Sequence, residues 1–543
     1  MSRSVARPEP IFPVTPSLPW DSIRMRRGLS WLRLSVPVLA LVLLFSITGL
    51  RGVNYGYHWD EDGWHIAPAQ LMVKTGVFLP KNYIYPSLDK YLVLLPAIPP
   101  GIRAAIDNAG QPLPIQAAML KSMQQADFLL RVRGVFIVVS GLAILWMYGA
   151  AIALRHKPWE ALVAAAGLGL SWEYAYHSRW AVTDCILVQF SALTLFMLAL
   201  FQRTGGPRWL YAAAVAAGLG TGTKYTGVFL LAPVVMASVL ALPWNAFWAQ
   251  VRRATLLCGL AFAVYLLTTP ATILDPFQFM TETRGISEYY KHSHGGYTTT
   301  GMLDHVWIVA AYFALVFFSP YQWIALPAFV AMALGALLWF RRDARFALLL
   351  VGFPALFLAM FCFRYRVVII RNYLFVTPFL ALLLARGVAD LAALLSRRPW
   401  PRWGLAAILS GALAVNAAWL IAAGESIRSI DPNLYVRQAI EYVAKHDSIR
   451  FRVSPRIRSL ARAQGLAMPP NVVKDKEGSQ VVFFGTAEGP GDWNWRVNDP
   501  WLTKAVFGPR EVNFDYYSSW NGHDHIVVMA LDKAKATGVP LAR

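Results

Sequence analysis

The run "NYGYHWDEDGWH" (54–65) places three carboxylates, Asp60, Glu61 and Asp62, just beyond the apolar stretch "SVPVLALVLLFSITGL". A carboxylate beside a substrate hydroxyl can take its proton as a new bond forms, which makes the cluster a candidate general base. Asp60 and Glu61 point in different directions in an extended or a helical segment, so only one is expected to do the proton transfer. Asp62, with His58 and His65 nearby, could instead hold a hard divalent cation. A solvated loop start beside a membrane would account for the same residues without chemistry.

Further candidates follow along the chain. "YIYPSLDKYL" (83–92) is a proline turn leading to Asp89 and Lys90; the lysine can snorkel to lipid headgroups or meet a phosphate at that depth. "SRWAVTDCILVQFSALTLFML" (178–198) sets Arg179 and Asp184 at the end of an apolar helix. An acid there is costly and functional by default, although a helix N-terminus also favours one. "GLGTGTKYTGVFLL" (218–231) holds Lys224 between two apolar segments. Its glycines admit either a headgroup or a neighbouring helix. "FRYRVVIIRNYL" (363–374) carries Arg364, Arg366 and Arg371. His292 and His294, two residues apart in "EYYKHSHGG", form a poor metal pair and read as loop residues.

The elements that must position these groups are membrane helices. The 543 residues are 57% hydrophobic and 15% charged, too apolar to cover a soluble surface. The net charge of +20 sits in short runs between apolar segments, with no interleaved aromatic face, which excludes a nucleic-acid partner. Cys185, Cys258 and Cys362 lie in or beside apolar segments without CxxC spacing and read as core residues. "RMRRGLSWLR" resembles a signal peptide, but no small-residue cleavage site follows, so the first span is expected to remain.

Eleven spans are expected, near 34–50, 134–153, 159–174, 183–201, 208–222, 225–242, 254–270, 322–340, 346–362, 372–391 and 403–423. Cations of Arg24–Arg27, "RHK", "QRTGGPR", "QVRRA", "RRDAR" and "SRRPWPR" then fall on one side, as the positive-inside rule asks. That requires "VWIVAAYFALVFF" (306–318) to be a half-inserted or surface helix, like "YLVLLPAIPPGI" (91–102). The organisation is a cytoplasmic tail (1–33), a transmembrane domain (34–423) with outer loops 51–133 and 271–305, and an extracytoplasmic domain (424–543). Helix-like "NLYVRQAIEYVAKH" and strand-like "SQVVFFGTA" and "HDHIVVMAL" make that last domain a small α/β unit. Lys224 and Arg371 then face outward against the charge bias, which points to an anionic ligand at headgroup level.

The outward "DE", then "YPSLDK", "SRWAVTD", "GLGTGTKYTG" and "RNYLFVTPFLALLLA" occur in the order found in GT-C membrane glycosyltransferases. The chain resembles the protein O-mannosyltransferases and lipid A aminoarabinose transferases of glycosyltransferase family 39 and its bacterial relatives, over roughly residues 30–395. The resemblance implies a multi-pass protein of the cell (inner) membrane that uses a polyprenyl-phosphate sugar and a glycan, lipid or protein hydroxyl acceptor. Asp60 matches the base, with Glu61 beside it, and Asp184 the second acid. Lys90 falls where O-mannosyltransferases carry a lysine after "HPPLG", and Tyr85 replaces that motif's histidine. Ile84-Tyr85 stands where the aminoarabinose transferases have a Glu-Lys pair, which speaks against their type of zinc site; a divalent metal is otherwise left open. Inverting attack on the anomeric carbon would leave a phosphate anion that needs neutralising charge, with Lys90, Lys224 and Arg371 as candidates and Arg179 and Tyr85 among the donor-binding residues. The competing class is a transporter or lipid flippase, expected to carry charged or broken helices near the midplane.

Overall fold

The computed structural model describes residues 28–53, 60–110, 112–125, 127–243, 245–292, 298–395, 399–428, 432–473, 479–484, 503–507 and 526–532. His58, His294 and the cations Arg24, Arg26 and Arg27 lie outside the described residues.

The chain enters through α1 (Gly28–Arg51), and Asp60 precedes a π-helical turn, Glu61–Ile66, that runs into α2 (Ala67–Thr75). Three short helices, α3 (Leu88–Leu94), α4 (Ile98–Asp107) and α5 (Pro112–Met123), complete the first long connection. Prolines at 96, 99 and 100 keep this stretch in short pieces, and Ile102, Ile106 and Leu113 face outward. There follow α6 (Phe128–Ala153), α7 (Pro158–Gly169), α8 (Trp172–Ser178), α9 (Thr183–Thr204), α10 (Pro207–Thr223), a 3₁₀ turn Tyr225–Leu230 with α11 (Leu231–Leu240), and α12 (Phe247–Thr268). The second long connection holds α13 (Ala271–Leu274), α14 (Pro276–His292) and α15 (Met302–Leu315). The membrane part closes with α16 (Gln322–Arg342), α17 (Ala344–Arg364), a 3₁₀ turn Ile370–Val376 with α18 (Thr377–Leu395), and α19 (Pro399–Arg428).

The expected spans fall on these helices, with 225–242 and 372–391 each opening in a 3₁₀ turn and 159–174 broken in two. There the helix stops at Gly169 and restarts after Ser171, whose hydroxyl accepts from Tyr174 N at 3.4 Å. The break follows from packing: a Cβ at Gly169 would come within 2.9 Å of Ile144, so α7 presses close to α6 before turning. Seven helical segments among the described residues are long and apolar enough to cross a membrane. The protein is an integral α-helical membrane protein. Among those segments the one in α9 is the most enclosed, whereas α12 and α19 leave most of their surface for lipid. α15, at 14 residues, is about 21 Å long, short of the about 30 Å hydrocarbon thickness.

Beyond α19, α20 (Pro432–Lys445) and α21 (Pro455–Ala463) pack on a four-stranded sheet. Its order is β1 (Phe451–Val453), β2 (Gln480–Phe484), β4 (Ile526–Ala530), β3 (Thr503–Phe507), with β1 parallel to β2 and the other pairs antiparallel. Val436, Ile440 and Val443 from α20 meet Phe451, Val482 and Val528 in a separate core.

The tightest helix crossing joins α16 and α18. A Cβ on Gly387 would lie 1.7 Å from Ala331 O, and one on Gly335 2.0 Å from Leu383 O. Gly387→Ala should therefore force the helices apart and cost about 1–3 kcal/mol. Gly411→Ala, where a Cβ meets nothing within 4 Å, should be neutral or stabilising. Thermal unfolding of both variants in detergent separates the two outcomes.

Candidate active site

Asp60, Asp184, Lys224 and Arg371 converge into one buried network, each at a break in regular helix. Asp60 immediately precedes the π-helical turn, Asp184 lies in the first turn of α9, Lys224 is extended between α10 and the 3₁₀ turn, and Arg371 sits in the 3₁₀ turn before α18. Such breaks free side chains and backbone from the regular ladder, and in a membrane protein they persist only where protein surrounds them.

Arg371 Nη2 donates to Asp60 Oδ2 at 2.5 Å, and its Nε lies 3.5 Å from Asp184 Oδ2. Lys224 Nζ donates to Asp184 Oδ1 at 2.6 Å and to Asn372 Oδ1 at 2.6 Å. Asn372 Nδ2 in turn donates to the Tyr290 hydroxyl of α14 at 3.3 Å. Relative exposures of the four charged residues are 5% for Asp60, 3% for Asp184, 7% for Lys224 and 9% for Arg371. Two acids and two bases leave the cluster neutral, which is what allows it to be buried.

Tyr85 approaches the same carboxylate, its hydroxyl 3.5 Å from Asp60 Oδ2. Burial, followed by the charge of Asp60, pushes its phenol well above the ordinary value, so it stays a donor. Its ring stacks on His65 at 5.2 Å, and His65 Nδ1 is hydrogen-bonded to Asp89. His177, buried beside the network, is pushed by its burial down to about 3, so its imidazole is neutral at working pH.

Other expected site residues stand elsewhere. Glu61 leaves the Asp60 cluster and takes a bidentate pair with Arg133, at 2.8 Å to Nε and 2.5 Å to Nη2, while Ala181 N donates to it at 2.7 Å. Arg133 also donates to Val53 O at 2.9 Å and lies over the Trp180 ring, so this pair staples the π-helical turn to α6 and the start of α9. Lys90 is wholly enclosed and donates to the carbonyls of Tyr85 at 3.0 Å and Pro86 at 2.9 Å. Neither snorkelling nor a headgroup contact fits that position; the lysine caps the proline turn that carries Tyr85. Arg179 is also enclosed and joins α8 to α1 through Ala175 O at 2.8 Å and Thr48 O at 3.2 Å. The glycines of "GLGTGTKYTG" serve packing: a Cβ on Gly218 would meet Ala261 O at 2.5 Å, and one on Gly227 the Gly220 backbone at 2.3 Å. Arg364, Arg366 and Asp62 are exposed. Among the described residues no group of three or more His, Cys, Asp or Glu side chains could hold a metal ion.

Asn372, Tyr290, His177 and Arg133 were not read as site residues from the sequence. Asn372 had a usable signal, since it adjoins Arg371 in "RNYL"; Arg133 has no local signal, because its partner lies 72 residues earlier.

Residues 121–282, which include Arg133, Asp184 and Lys224, match the family model described as dolichyl-phosphate-mannose-protein mannosyltransferase. In this central segment the chain is similar to GT-C-type mannosyltransferases. Among solved structures it is similar to ArnT from Cupriavidus metallidurans bound to undecaprenyl phosphate, at 14% identity and a TM-score of 0.43. It is also similar to the same protein in the apo state, at 14% identity and 0.45; both comparisons cover 95% of this chain and 99% of the other. No curated protein matches the sequence.

Two tests address what holds this site. Glu61→Gln leaves the buried Arg133 without a carboxylate and should cost about 3–5 kcal/mol. Combined with Arg133→Met it should cost less than the two single changes added together, a coupling that a double-mutant cycle of melting data reads directly. For His177 the folded value of about 3 lies below the ordinary histidine value of 6.5. Between those values the unfolded chain binds the proton and the folded one does not, so stability falls as pH falls from 6.5. Relative to His177→Gln, the parent should lose about 2 kcal/mol between pH 7 and pH 5, measured as the change in their melting difference.

Proposed function

We propose that the enzyme moves a sugar from a polyprenyl-phosphate donor to a hydroxyl acceptor with inversion, using Asp60 as the base. The acceptor oxygen forms a bond to the anomeric carbon as the bond from that carbon to the phosphate oxygen breaks. The acceptor proton passes to Asp60, and the lipid phosphate leaves with the bonding electrons. Phosphate is a stable anion, so its departure needs positive charge more than an acid. Arg371 and Lys224 supply that charge, with Asp184 and Asn372 holding the lysine in place. The observation that carries the reading is the neutral, buried Asp60–Arg371–Asp184–Lys224 network, drawn from four breaks in the helices of a chain whose central segment matches the mannosyltransferase model.

The same reading sets the site on the extracytoplasmic side of the cell (inner) membrane, with the N-terminus cytoplasmic, about eleven spans and the domain from 424 outside. Its support is the charge bias along the sequence, together with ion pairs such as Arg342–Asp390 at 2.8 Å and Arg386–Asp390 at 2.6 Å near "RRDAR" and the far end of α18. Donor tails would lie along the lipid-facing helices. Lys90 and Arg179 are given positioning roles, and the sugar and acceptor are left to assay. The transporter reading finds no support in the family match.

Asp60→Asn should abolish transfer of labelled sugar from a polyprenyl phosphate while expression and membrane insertion are kept; near-parental turnover would transfer the base role to another group. Lys224→Met should lower transfer at least about tenfold, a charge-assisted contact's worth, whereas Arg203→Met at the far end of α9 should not. Equal losses in both would mean general destabilisation.

A further inference from the structure

We propose that Arg371 serves two anions in turn: it neutralises Asp60 while the donor site is empty, and it shifts to the donor's phosphate when the lipid binds. The proposal rests on the reading above and specifies how that site is switched on. The oxygen of Asp60 that accepts from Arg371 at 2.5 Å is the one nearest the Tyr85 hydroxyl, at 3.5 Å. An adjacent guanidinium stabilises the ionised carboxylate and so makes it a weaker base. In this arrangement the base is occupied.

When Arg371 turns away, Asp184 keeps a counter-ion, and Asp60 loses this one and becomes the stronger base. Asp184 keeps Lys224 at 2.6 Å whichever way the guanidinium turns, and Asn372 keeps the lysine in place from its other side at 2.6 Å. Tyr85 remains as a neutral donor to Asp60, held by His65 stacking on its ring and by Lys90 on its carbonyl. The segment that carries Arg371 is anchored on either side of it, whichever anion the guanidinium pairs with. Ser191 Oγ donates to Phe375 O at 2.5 Å, and Thr299 N donates to Arg366 O at 2.8 Å, on either side of the segment that carries it.

Charge accounting through the reaction favours the same movement. A donor phosphodiester brings one negative charge into a neutral cluster. On transfer Asp60 gains the acceptor proton and loses its charge, while the departing phosphate gains one. A guanidinium that begins on Asp60 and ends on the phosphate follows that charge. The base therefore becomes available only when a donor, with its anomeric carbon and phosphate leaving group, is in place, which protects against an idle base in an empty site.

One consequence separates this from a fixed structural pair: Asp60 competes with the lipid phosphate for Arg371. Asp60→Asn, inactive in transfer, should bind a phosphate more tightly than the parent. The test is equilibrium binding of undecaprenyl phosphate, which carries no sugar, to the detergent-solubilised parent, Asp60→Asn, Arg371→Gln and the double variant. The expected result is about tenfold tighter binding for Asp60→Asn and about tenfold weaker for Arg371→Gln, the size of one charge-assisted contact. In the Arg371→Gln background the Asp60 change should have no effect. If the parent binds and Asp60→Asn binds equally or more weakly, the exchange is overturned while the donor assignment stands. If the parent binds no polyprenyl phosphate, the donor assignment falls and the exchange with it. Should Asp60→Asn fail to give a monodisperse, cooperatively melting protein, Asp60→Ser carries the same comparison: tighter binding than the parent supports the exchange, and equal or weaker binding overturns it.

Discussion

A carboxylate taken out of water must bring a counter-ion with it, and Asp60 and Asp184 obtain theirs from segments 311 and 40 residues away. The desolvation of an unpaired ion costs several kcal/mol, more than most single contacts can return. The fold is therefore obliged to bring the stretch after α1, the start of α9, the end of α10 and the start of α18 to one place. Hydrophobic replacements would pack as well or better in such a position. Polar groups retained at this cost in a membrane protein have a chemical use.

The same constraint explains why regular helix fails at each of these points. A continuous α-helix satisfies its own backbone and holds its side chains on its flanks, which would keep the four charged groups apart. The π-helical turn after Asp60 and the 3₁₀ turns after Lys224 and Ile369 redirect the chain by part of a turn. The backbone groups released there are taken up locally, as where Gly227 N reaches Lys224 O at 2.7 Å and Asn372 N reaches Ile369 O at 2.9 Å. Glycine at 227 is needed because the chain there lies directly on the Gly220 backbone.

Much of this was legible in the sequence because it is written in local patterns. Apolar runs marked the helices, and Lys224 and Arg371, singled out as cations against the expected charge bias, meet at Asp184. Asp60 and Asp184 were legible for a similar reason, as acids at the mouths of apolar segments. What could not be read was pairing. Nothing local to Glu61 distinguishes it from Asp60, yet Arg133 claims it; nothing local to Lys90 announces that its own turn will consume its donors. The α7–α8 break was hidden because its cause, the approach of α6 at Gly169, is tertiary. In the C-terminal unit α20, β2 and β4 were legible from periodicity. β1, three residues long, and β3, with a bulge between Thr503 and Ala505, were too short or irregular to signal.

The two sides of the site are built on different physics. On one side α9 is enclosed by other helices, and the aromatic rings of Phe357, Phe361 and His305 surround Tyr373 next to Asn372. Close packing of that kind resists small displacements of the backbone that carries Arg371 and Asn372. On the other side α14 has no buried residue, and Phe277 stands 87% exposed. It is held by polar ties, Lys81 to Asp275 at 2.7 Å, Gln278 to Lys81 O at 2.8 Å, Glu282 to the Tyr83 backbone and Tyr290 to Asn372, and by ring contacts of Phe279 with Tyr83 and Tyr225 and of Tyr290 with Phe361 and Tyr365. Surface ties such as the first are worth ~0–1 kcal/mol each, so the rings at 279 and 290 carry more of the attachment. Tyr290 thereby joins α14 to the asparagine that also holds Lys224.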